Sequence, residues 1–104
     1  MSTVRICGLE DLPDGTTRQV EVDGSLVALV RLGERVLAIG DTCSHAEVSL
    51  SEGAVAVDEC AIECWKHGSL FSLETGEALT LPATQPVEVF SARIEGDDIV
   101  MVVQ

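Results

Sequence analysis

Residues 17–32 read TRQVEVDGSLVALVRL and contain the clearest strand–turn–strand signal of the chain. Val20 and Val22 alternate with polar residues, which is typical of a strand with one buried face. Asp23 and Gly24 follow, and a turn of this type favours a hairpin because glycine accepts a positive φ. The return run is almost continuously apolar, as in a strand that is buried on both faces. The stretch therefore predicts an antiparallel β-hairpin.

The same alternation of short apolar runs and turn signals continues along the whole chain. Glycine and aspartate turn signals recur about every eight to twelve residues, as in a small sandwich or barrel. No segment has a clear helical period, and one or two helical turns fit only in Gly8–Leu12 or Glu47–Glu52. The predicted class is therefore all-β. The predicted strands are Val4–Cys7, Thr17–Val22, Ser25–Leu32, Arg35–Ile39, Ala54–Val57, Ala61–Glu63, Ser69–Ser72, Val87–Ile94 and Asp98–Val103.

Length and charge limit what this protein can bind. The 104 residues suffice for a single domain, 1–104. A formal net charge of −12 argues against nucleic acid and anionic membranes, because both require a basic surface. No apolar run is long enough for a signal peptide or a membrane span, so we expect a soluble, cytoplasmic protein. In that reducing compartment the four cysteines are expected to be ligands or free thiols, with disulfides as the alternative.

Four cysteine and histidine residues form two pairs at ligand spacing. Cys43 and His45 lie in segment 41–53, which is poor in strand signals, and Cys64 and His67 follow a predicted strand. The pattern is C-x-H-x18-C-x-x-H and contains both histidines of the chain. Thiolate and imidazole suit zinc, and they also suit iron–sulfur centres with mixed ligands. Because each loop pairs unlike ligands, the pattern favours two adjacent metal ions over a structural zinc site.

This pattern resembles that of the Rieske [2Fe–2S] proteins, in particular the small Rieske-type ferredoxins. The resemblance implies three stacked antiparallel sheets with a small cluster-binding subdomain at about residues 41–83. It also implies a [2Fe–2S] cluster with Cys43 and Cys64 on the inner iron and His45 and His67 on the outer iron. Beyond the ligands, the similar residues are Gly68, Ser69-Leu70-Phe71, Thr75-Gly76, Leu81-Pro82-Ala83 and the final hairpin from Pro86-Val87 to Gly96-Asp97-Asp98.

Both loops differ from those of the high-potential Rieske proteins of respiratory complexes. Those relatives carry two further cysteines that form a disulfide beside the cluster, and neither loop has one here. Phe71 takes the position of a tyrosine whose hydroxyl lies near a cysteine sulfur, whereas Ser69 keeps a serine that donates to a bridging sulfide. We therefore expect a potential in the lower half of the Rieske range of roughly −150 to +300 mV.

The resemblance implies an electron carrier rather than an enzyme. The chain looks like the ferredoxin that passes single electrons from a flavin-dependent ferredoxin reductase to a non-haem iron oxygenase. We expect a monomer whose acidic surface docks on a basic surface of the partner, with His45 and His67 at the point where the electron leaves. Three alternatives stay open: an accessory protein of iron–sulfur cluster assembly, a structural zinc-binding β domain, and a domain that has lost its cluster.

The remaining cysteines and the residues between the second pair of ligands have simpler interpretations. Cys7 and Cys60 lie beside predicted strands, so we expect buried or half-buried thiols rather than ligands. Trp65 is expected near an exposed tip, where it either packs or contributes to docking. Lys66, the only lysine, is expected to be a solvated loop residue.

Overall fold

Ten β-strands and three short 3₁₀ helices make up the regular structure of residues 2–43, 48–66, 68–81 and 85–103, which the computed structural model describes. The predicted all-β class is confirmed. None of the described segments forms a helix that is long and apolar enough to cross a membrane. The strands are β1 Ser2–Gly8, β2 Thr17–Val22, β3 Ser25–Leu32, β4 Arg35–Gly40, β5 Val55–Ala56, β6 Ala61–Glu63, β7 Leu70–Ser72, β8 Val89–Phe90, β9 Ala92–Glu95 and β10 Asp98–Val103. The 3₁₀ helices are Leu9–Asp11, Leu50–Glu52 and Val57–Glu59.

The strands form three antiparallel sheets, as the resemblance implies. The first sheet has the strand order β1-β10-β9, the second β2-β3-β4-β8 and the third β5-β6-β7. All neighbouring strands in these orders run antiparallel. The third sheet is the smallest, and the second cysteine–histidine pair lies between its strands β6 and β7.

The β2–β3 hairpin has the geometry that its sequence predicts. Val22 pairs with Ser25 across Asp23 and Gly24, whose φ angles are 51° and 82°. Positive φ at both central residues is the signature of a type I′ turn, whose twist matches that of the paired strands. The segment Val27–Val30 of β3 is fully buried. The prediction that this strand is buried on both faces is therefore confirmed for these four residues, whereas Ser25 and Leu26 at its start are exposed.

Two apolar cores pack against opposite faces of the second sheet, which is called the central sheet below. In β3, Ala28 and Val30 contribute to one core and Val27 and Leu29 to the other, because successive side chains of a strand point to opposite faces. The core that joins the central sheet to the third sheet is called the site core below. Its buried members are Ala28, Val30, Ile39, Cys43, Leu50, Ile62, Cys64, Phe71 and Leu73. The other, the remote core, has the buried members Cys7, Leu12, Val22, Val27, Leu29, Val36, Ala38, Ile99 and Met101.

Two predicted strands are shorter or more divided than their sequences indicate. The prediction of one strand over Val87–Ile94 is wrong, because the chain leaves the second sheet after β8 and enters the first sheet at β9. Ser91 lies at this crossing, where its carbonyl oxygen accepts a hydrogen bond from the N–H of Val102 at 2.9 Å. The predicted strand over Ala54–Val57 shrinks to β5, because Val57 begins a 3₁₀ helix instead.

Candidate metal centre

Cys43 and Cys64 lie in the same buried cluster, although they come from different sheets. Cys43 follows β4 of the central sheet, and Cys64 directly follows β6 of the third sheet. Their exposed fractions are 3% and 0%. Both belong to the site core, together with the large apolar side chains of Leu50, Ile62 and Phe71. The fold therefore brings together the two cysteines that the sequence predicts as ligands.

The segment 41–53, called the first ligand loop, is closed at its base by a short antiparallel ladder. The N–H of Cys43 donates to the carbonyl oxygen of Val48 at 3.0 Å, and the N–H of Leu50 donates to that of Asp41 at 2.6 Å. Thr42 and Ser49 form an isolated antiparallel bridge between these two bonds. The backbone on both sides of the loop is thereby fixed. The predicted ligand His45 lies outside the described residues.

A buried carboxylate ties the two arms of this loop together. Asp41 is 1% exposed, and its Oδ1 accepts a hydrogen bond from the N–H of Ser51 at 2.9 Å. Its Oδ2 accepts one from Nε2 of Gln19 at 2.5 Å, and the same Nε2 donates to Oγ of Ser49 at 3.0 Å. Burial on its own would raise the pKa of Asp41, but these hydrogen bonds outweigh it and hold the pKa below its usual value. Asp41 is therefore an ionised group inside the loop base.

The second ligand loop is a tight turn between β6 and β7. The N–H of Cys64 donates to the carbonyl oxygen of Ser69 at 2.7 Å, and the N–H of Gly68 donates to that of Cys64 at 2.8 Å. Gly68 has a φ of 76°, a conformation that glycine adopts without a steric penalty. Trp65 is 52% exposed at this turn, as expected for a residue near a tip. The predicted ligand His67 lies outside the described residues.

The two loops are joined by a close backbone contact. The N–H of Glu63, the residue before Cys64, donates to the carbonyl oxygen of Ala54 at 2.9 Å. Gly53, which ends the 3₁₀ helix Leu50–Glu52 of the first loop, packs so closely that an added Cβ would lie 1.7 Å from the carbonyl oxygen of Glu63. The position of Cys64 relative to the first loop therefore depends on the absence of a side chain at Gly53.

Cys7 and Cys60 are thiols outside the two ligand loops. Cys7 is buried in the remote core on β1, and burial raises its pKa. Cys60 is half-buried at the end of the 3₁₀ helix Val57–Glu59 with a φ of 50°, and burial raises its pKa as well. No disulfide joins any two of the four cysteines. The expectation of buried or half-buried thiols at Cys7 and Cys60 is confirmed.

The described residues fit an iron–sulfur group by the chemistry of their donors. Two cysteine thiols are buried in one apolar core beside backbone segments that hydrogen bonds fix, and a histidine follows each of them closely in sequence. Within residues 2–43, 48–66, 68–81 and 85–103 no group of three or more histidine, cysteine, aspartate or glutamate side chains could hold a metal ion. The complete predicted set needs His45 and His67, so the ligand assignment stays a prediction.

Sequence reasoning missed the residues that shape the loops. Asp41 falls inside the segment that the sequence marks as functional, but its hydrogen-bond donor Gln19 is 22 residues away on β2. In the sequence Gly53 looks like an ordinary turn glycine, and Glu63, against whose carbonyl oxygen it packs, lies on β6. Contacts of this kind arise only from the tertiary arrangement, and no local pattern signals them.

Known proteins resemble this chain over most of its length. A sequence model of the family described as "Rieske [2Fe-2S] domain" matches residues 2–91. The chain is 37% identical over 99 residues to the 3-phenylpropionate/cinnamic acid dioxygenase ferredoxin subunit of Escherichia coli strain K12. That alignment covers 95% of this chain and 92% of the relative. The similarity therefore spans both ligand loops.

Solved structures share the complete fold. The ferredoxin of carbazole 1,9a-dioxygenase from Nocardioides aromaticivorans IC177 gives a TM-score of 0.95 at 34% identity and covers 100% of both chains. A chain in a complex of reduced oxygenase and oxidised ferredoxin in carbazole 1,9a-dioxygenase gives 0.86 at 34% identity, covering 96% of this chain and 92% of that one. The predicted fold of stacked antiparallel sheets is confirmed.

Proposed function

Because the chain belongs to the Rieske [2Fe–2S] domain family, we propose that it is a ferredoxin that passes single electrons from a flavin-dependent ferredoxin reductase to a non-haem iron oxygenase. The observation that carries the proposal is the burial of Cys43 and Cys64 in one core. The relatives described above are named as ferredoxins or a ferredoxin subunit of dioxygenases, and one solved structure is a complex of a ferredoxin with its oxygenase. The chain is thus an electron-transfer component and not itself an enzyme.

The proposed ligand set consists of Cys43 and Cys64 on one iron and His45 and His67 on the other. The bound [2Fe–2S] cluster supplies a site that takes up and releases one electron, at a potential raised by its two histidine ligands. The chain holds both sulfur ligands in an apolar core, which excludes water from them. The exposed indole of Trp65 stands beside Cys64, at the surface where we propose that partners dock.

The same proposal includes the organisation and location of the chain. We propose a single domain over residues 1–104 with a cluster-binding subdomain at about 41–83, which contains the third sheet and both ligand loops. The domain is proposed to work as a cytoplasmic monomer. The negative charge of −12 favours a partner with a basic docking surface and disfavours nucleic acid and anionic membranes.

Electron delivery to the partner is expected to slow as salt is added. Exposed charges more than about 10 Å apart are largely screened at 0.1 M salt, so steering of an acidic ferredoxin to a basic surface weakens. Stopped-flow oxidation of the reduced protein by a Rieske oxygenase should lose about tenfold in rate between low salt and about 0.5 M. A rate that stays flat or rises would contradict the basic docking surface, and no oxidation at any salt concentration would contradict the proposed function.

Two charge-reversal variants test where the docking surface lies. Glu63 is exposed immediately before Cys64, and Glu34 is exposed in the turn before β4, whereas Cys43 follows the far end of that strand. At a rise of about 3.3 Å per residue, β4 separates Glu34 from the site end of the sheet by roughly 20 Å. Glu63→Lys is therefore expected to slow electron delivery more than Glu34→Lys, measured by the same stopped-flow oxidation.

The reduction potential is expected to follow hydrogen-bond donors near the cluster. Ser69 is fully buried next to the second loop, and Phe71 is fully buried in the site core with both cysteines. Donors to the sulfur atoms stabilise the reduced, more negative state. Ser69→Ala should therefore lower the potential and Phe71→Tyr should raise it in a redox titration.

The matched control for this titration is Ser72→Ala. The Ser72 hydroxyl accepts hydrogen bonds from the N–H groups of Glu74 and Thr75 in the following turn. Its removal takes a hydroxyl from the same strand region and should leave the potential unchanged. A wild-type potential well above about +150 mV, or a rise on Ser69→Ala, would contradict the expected role of these donors.

A further inference from the structure

Asp41 and Ser69 are the two buried polar residues in the part of the chain that the structure describes. A buried carboxylate is costly unless it is hydrogen-bonded, and an apolar side chain would fill the same space without this cost. Asp41 accepts from the Ser51 N–H and from Gln19, and Gln19 also donates to Ser49. Both oxygens of the carboxylate are therefore used at the base of one loop.

The partners of Asp41 lie on both sides of the first ligand loop and on a neighbouring strand. Asp41 lies on the arm that enters the loop, and Ser49 and Ser51 lie on the arm that leaves it, while Gln19 belongs to β2. The hydroxyl of Thr17, also on β2, donates to the carbonyl oxygen of Ser51. Both arms of the loop are thus bound to the rigid edge of the central sheet.

We propose that Asp41 is a positioning residue that holds Cys43 in its ligand position before the cluster binds, an inference that rests on the proposed ligand role of Cys43. Only Thr42 separates them, so their Cα atoms lie within about 7.6 Å of each other. A loop that is ordered in advance loses less conformational entropy when the cluster binds. Without the carboxylate, the ladder between residues 41–43 and 48–50 loses its side-chain support.

The alternative is that Asp41 only stabilises the fold as a whole, and the rate of thiol alkylation separates the two roles. The test alkylates the full-length, cluster-free chain under native conditions and follows each cysteine by mass spectrometry. Asp41→Ala should speed the alkylation of Cys43 about tenfold, the effect of losing one hydrogen bond to a charged group. The rates at Cys7 and Cys64, which are also buried, should change less than twofold if the effect is local.

Two further variants make the result specific. Asp41→Asn keeps the acceptor for the Ser51 N–H, and its amide can donate to Oε1 of Gln19 once the Gln19 amide turns over, so it should restore the slow alkylation of Cys43. Gln19→Met removes only the bonds from an exposed side chain, so it should fold normally and speed alkylation of Cys43 by a smaller factor. If Asp41→Ala does not fold, the alkylation rate of Cys43 in Gln19→Met decides between the positioning role and a purely structural role. The control is Asp14→Ala, which removes an exposed carboxylate whose hydrogen bond, from the N–H of Gly33 at 2.6 Å, does not involve the loop.

Cluster retention and potential give a second measurement on the loaded protein. Asp41→Ala should lose its cluster to a chelator about tenfold faster than the wild type, whereas Asp41→Asn should retain it. Asp41→Asn should also raise the reduction potential, because it removes a negative charge near the cluster. The Asn variant thus separates the two contributions of Asp41, because it keeps the hydrogen bond from Ser51 and removes only the charge.

Several outcomes would overturn the proposal. They are rapid alkylation of Cys43 in the wild-type chain, equal acceleration at Cys7 and Cys64, no acceleration at Cys43, or an Asn variant that behaves like the Ala variant. Failure of the proposed function has a different signature. In that case the wild-type chain binds no [2Fe–2S] cluster, while the alkylation pattern still decides whether Asp41 holds Cys43.

Discussion

Replacing any one of Cys43, His45, Cys64 or His67 by Ala is expected to abolish the binding of the [2Fe–2S] cluster. Each substitution removes one of four proposed ligands. Cys43 and Cys64 are 3% and 0% exposed, so bulk water has no access to replace the lost thiolate. The visible absorption of the purified protein should disappear, together with the two irons and two labile sulfides that the wild-type chain should contain.

The remaining two cysteines provide the control for this experiment. Cys7 lies in the remote core, and Cys60 is half-buried at the end of a 3₁₀ helix. Cys60 packs against the site core and Cys7 does not, so Cys60 is the stronger candidate for an alternative ligand. Cys7→Ser and Cys60→Ser should both keep iron, sulfide and colour. Loss of the cluster in Cys60→Ser would contradict the assigned set.

The metal content of the wild-type protein distinguishes a [2Fe–2S] cluster from the alternative of a zinc site. A [2Fe–2S] cluster absorbs visible light and gives a paramagnetic signal when it is reduced, and zinc does neither. Stoichiometric zinc without labile sulfide, in protein made with sufficient iron, would overturn the assignment of a [2Fe–2S] cluster. Because this result is read from composition alone, it does not depend on finding the right oxygenase.

Features that depend on neighbouring residues could be predicted from the sequence. The turn at Asp23 and Gly24 needs positive φ at both positions, and these residue types supply it. The continuous apolar run Val27–Val30 is buried because cores lie on both faces of β3. The ligand pattern is equally local, since each pair lies within one loop. Both signals act over a few residues, which is why they are visible without a structure.

Features that depend on which sheet a strand joins could not be predicted. The run from Val87 to Ile94 has the composition of one strand, but β8 pairs with β4 and β9 pairs with β10. Strand propensity describes a fit to a pleated surface and carries no information about which surface. Val57 similarly reads as a strand residue but begins a 3₁₀ helix. The division of the chain among three sheets is a tertiary property.

The candidate site shows the same division between local and tertiary information. The ligand residue types and their spacing are read directly from the sequence. The groups that fix the loops come from distant parts of the chain, as with Gln19 on β2 and Glu63 on β6. Hydrogen-bonded carboxylates and close backbone contacts have no periodic signature. The sequence therefore predicts which residues could bind the cluster and leaves open what holds them in place.

Gly53→Ala is expected to destabilise the fold strongly and to prevent normal loading of the cluster. An added Cβ would lie 1.7 Å from the carbonyl oxygen of Glu63 and 3.2 Å from that of Leu50. Both obstacles are backbone atoms, which cannot rotate away as a side chain would. The backbone of Gly53 has a φ of −87° and a ψ of 176°, which any residue adopts, so the expected effect arises from space alone.

Relief of this clash requires movement of the first ligand loop away from β6. The hydrogen bond between Glu63 and Ala54 lies at the same contact and would be strained or lost. Overpacking of this type costs about 3 kcal/mol or more when the backbone must shift. Chemical denaturation should therefore show a lower midpoint, and iron analysis should show less cluster per chain than in the wild type.

Gly40→Ala separates this steric effect from the general consequence of replacing a glycine near the site. Gly40 ends β4 just before the first ligand loop, and an added Cβ there would lie 3.6 Å from its nearest neighbour, the backbone nitrogen of Glu88. That distance is an ordinary van der Waals contact, so Gly40→Ala should keep its cluster and most of its stability. If Gly53→Ala loads the cluster as well as Gly40→Ala does, the contact between Gly53 and Glu63 does not set the relative positions of Cys43 and Cys64. If only Gly53→Ala loses it, the backbone contact between Gly53 and Glu63 holds the two ligand loops in their relative positions.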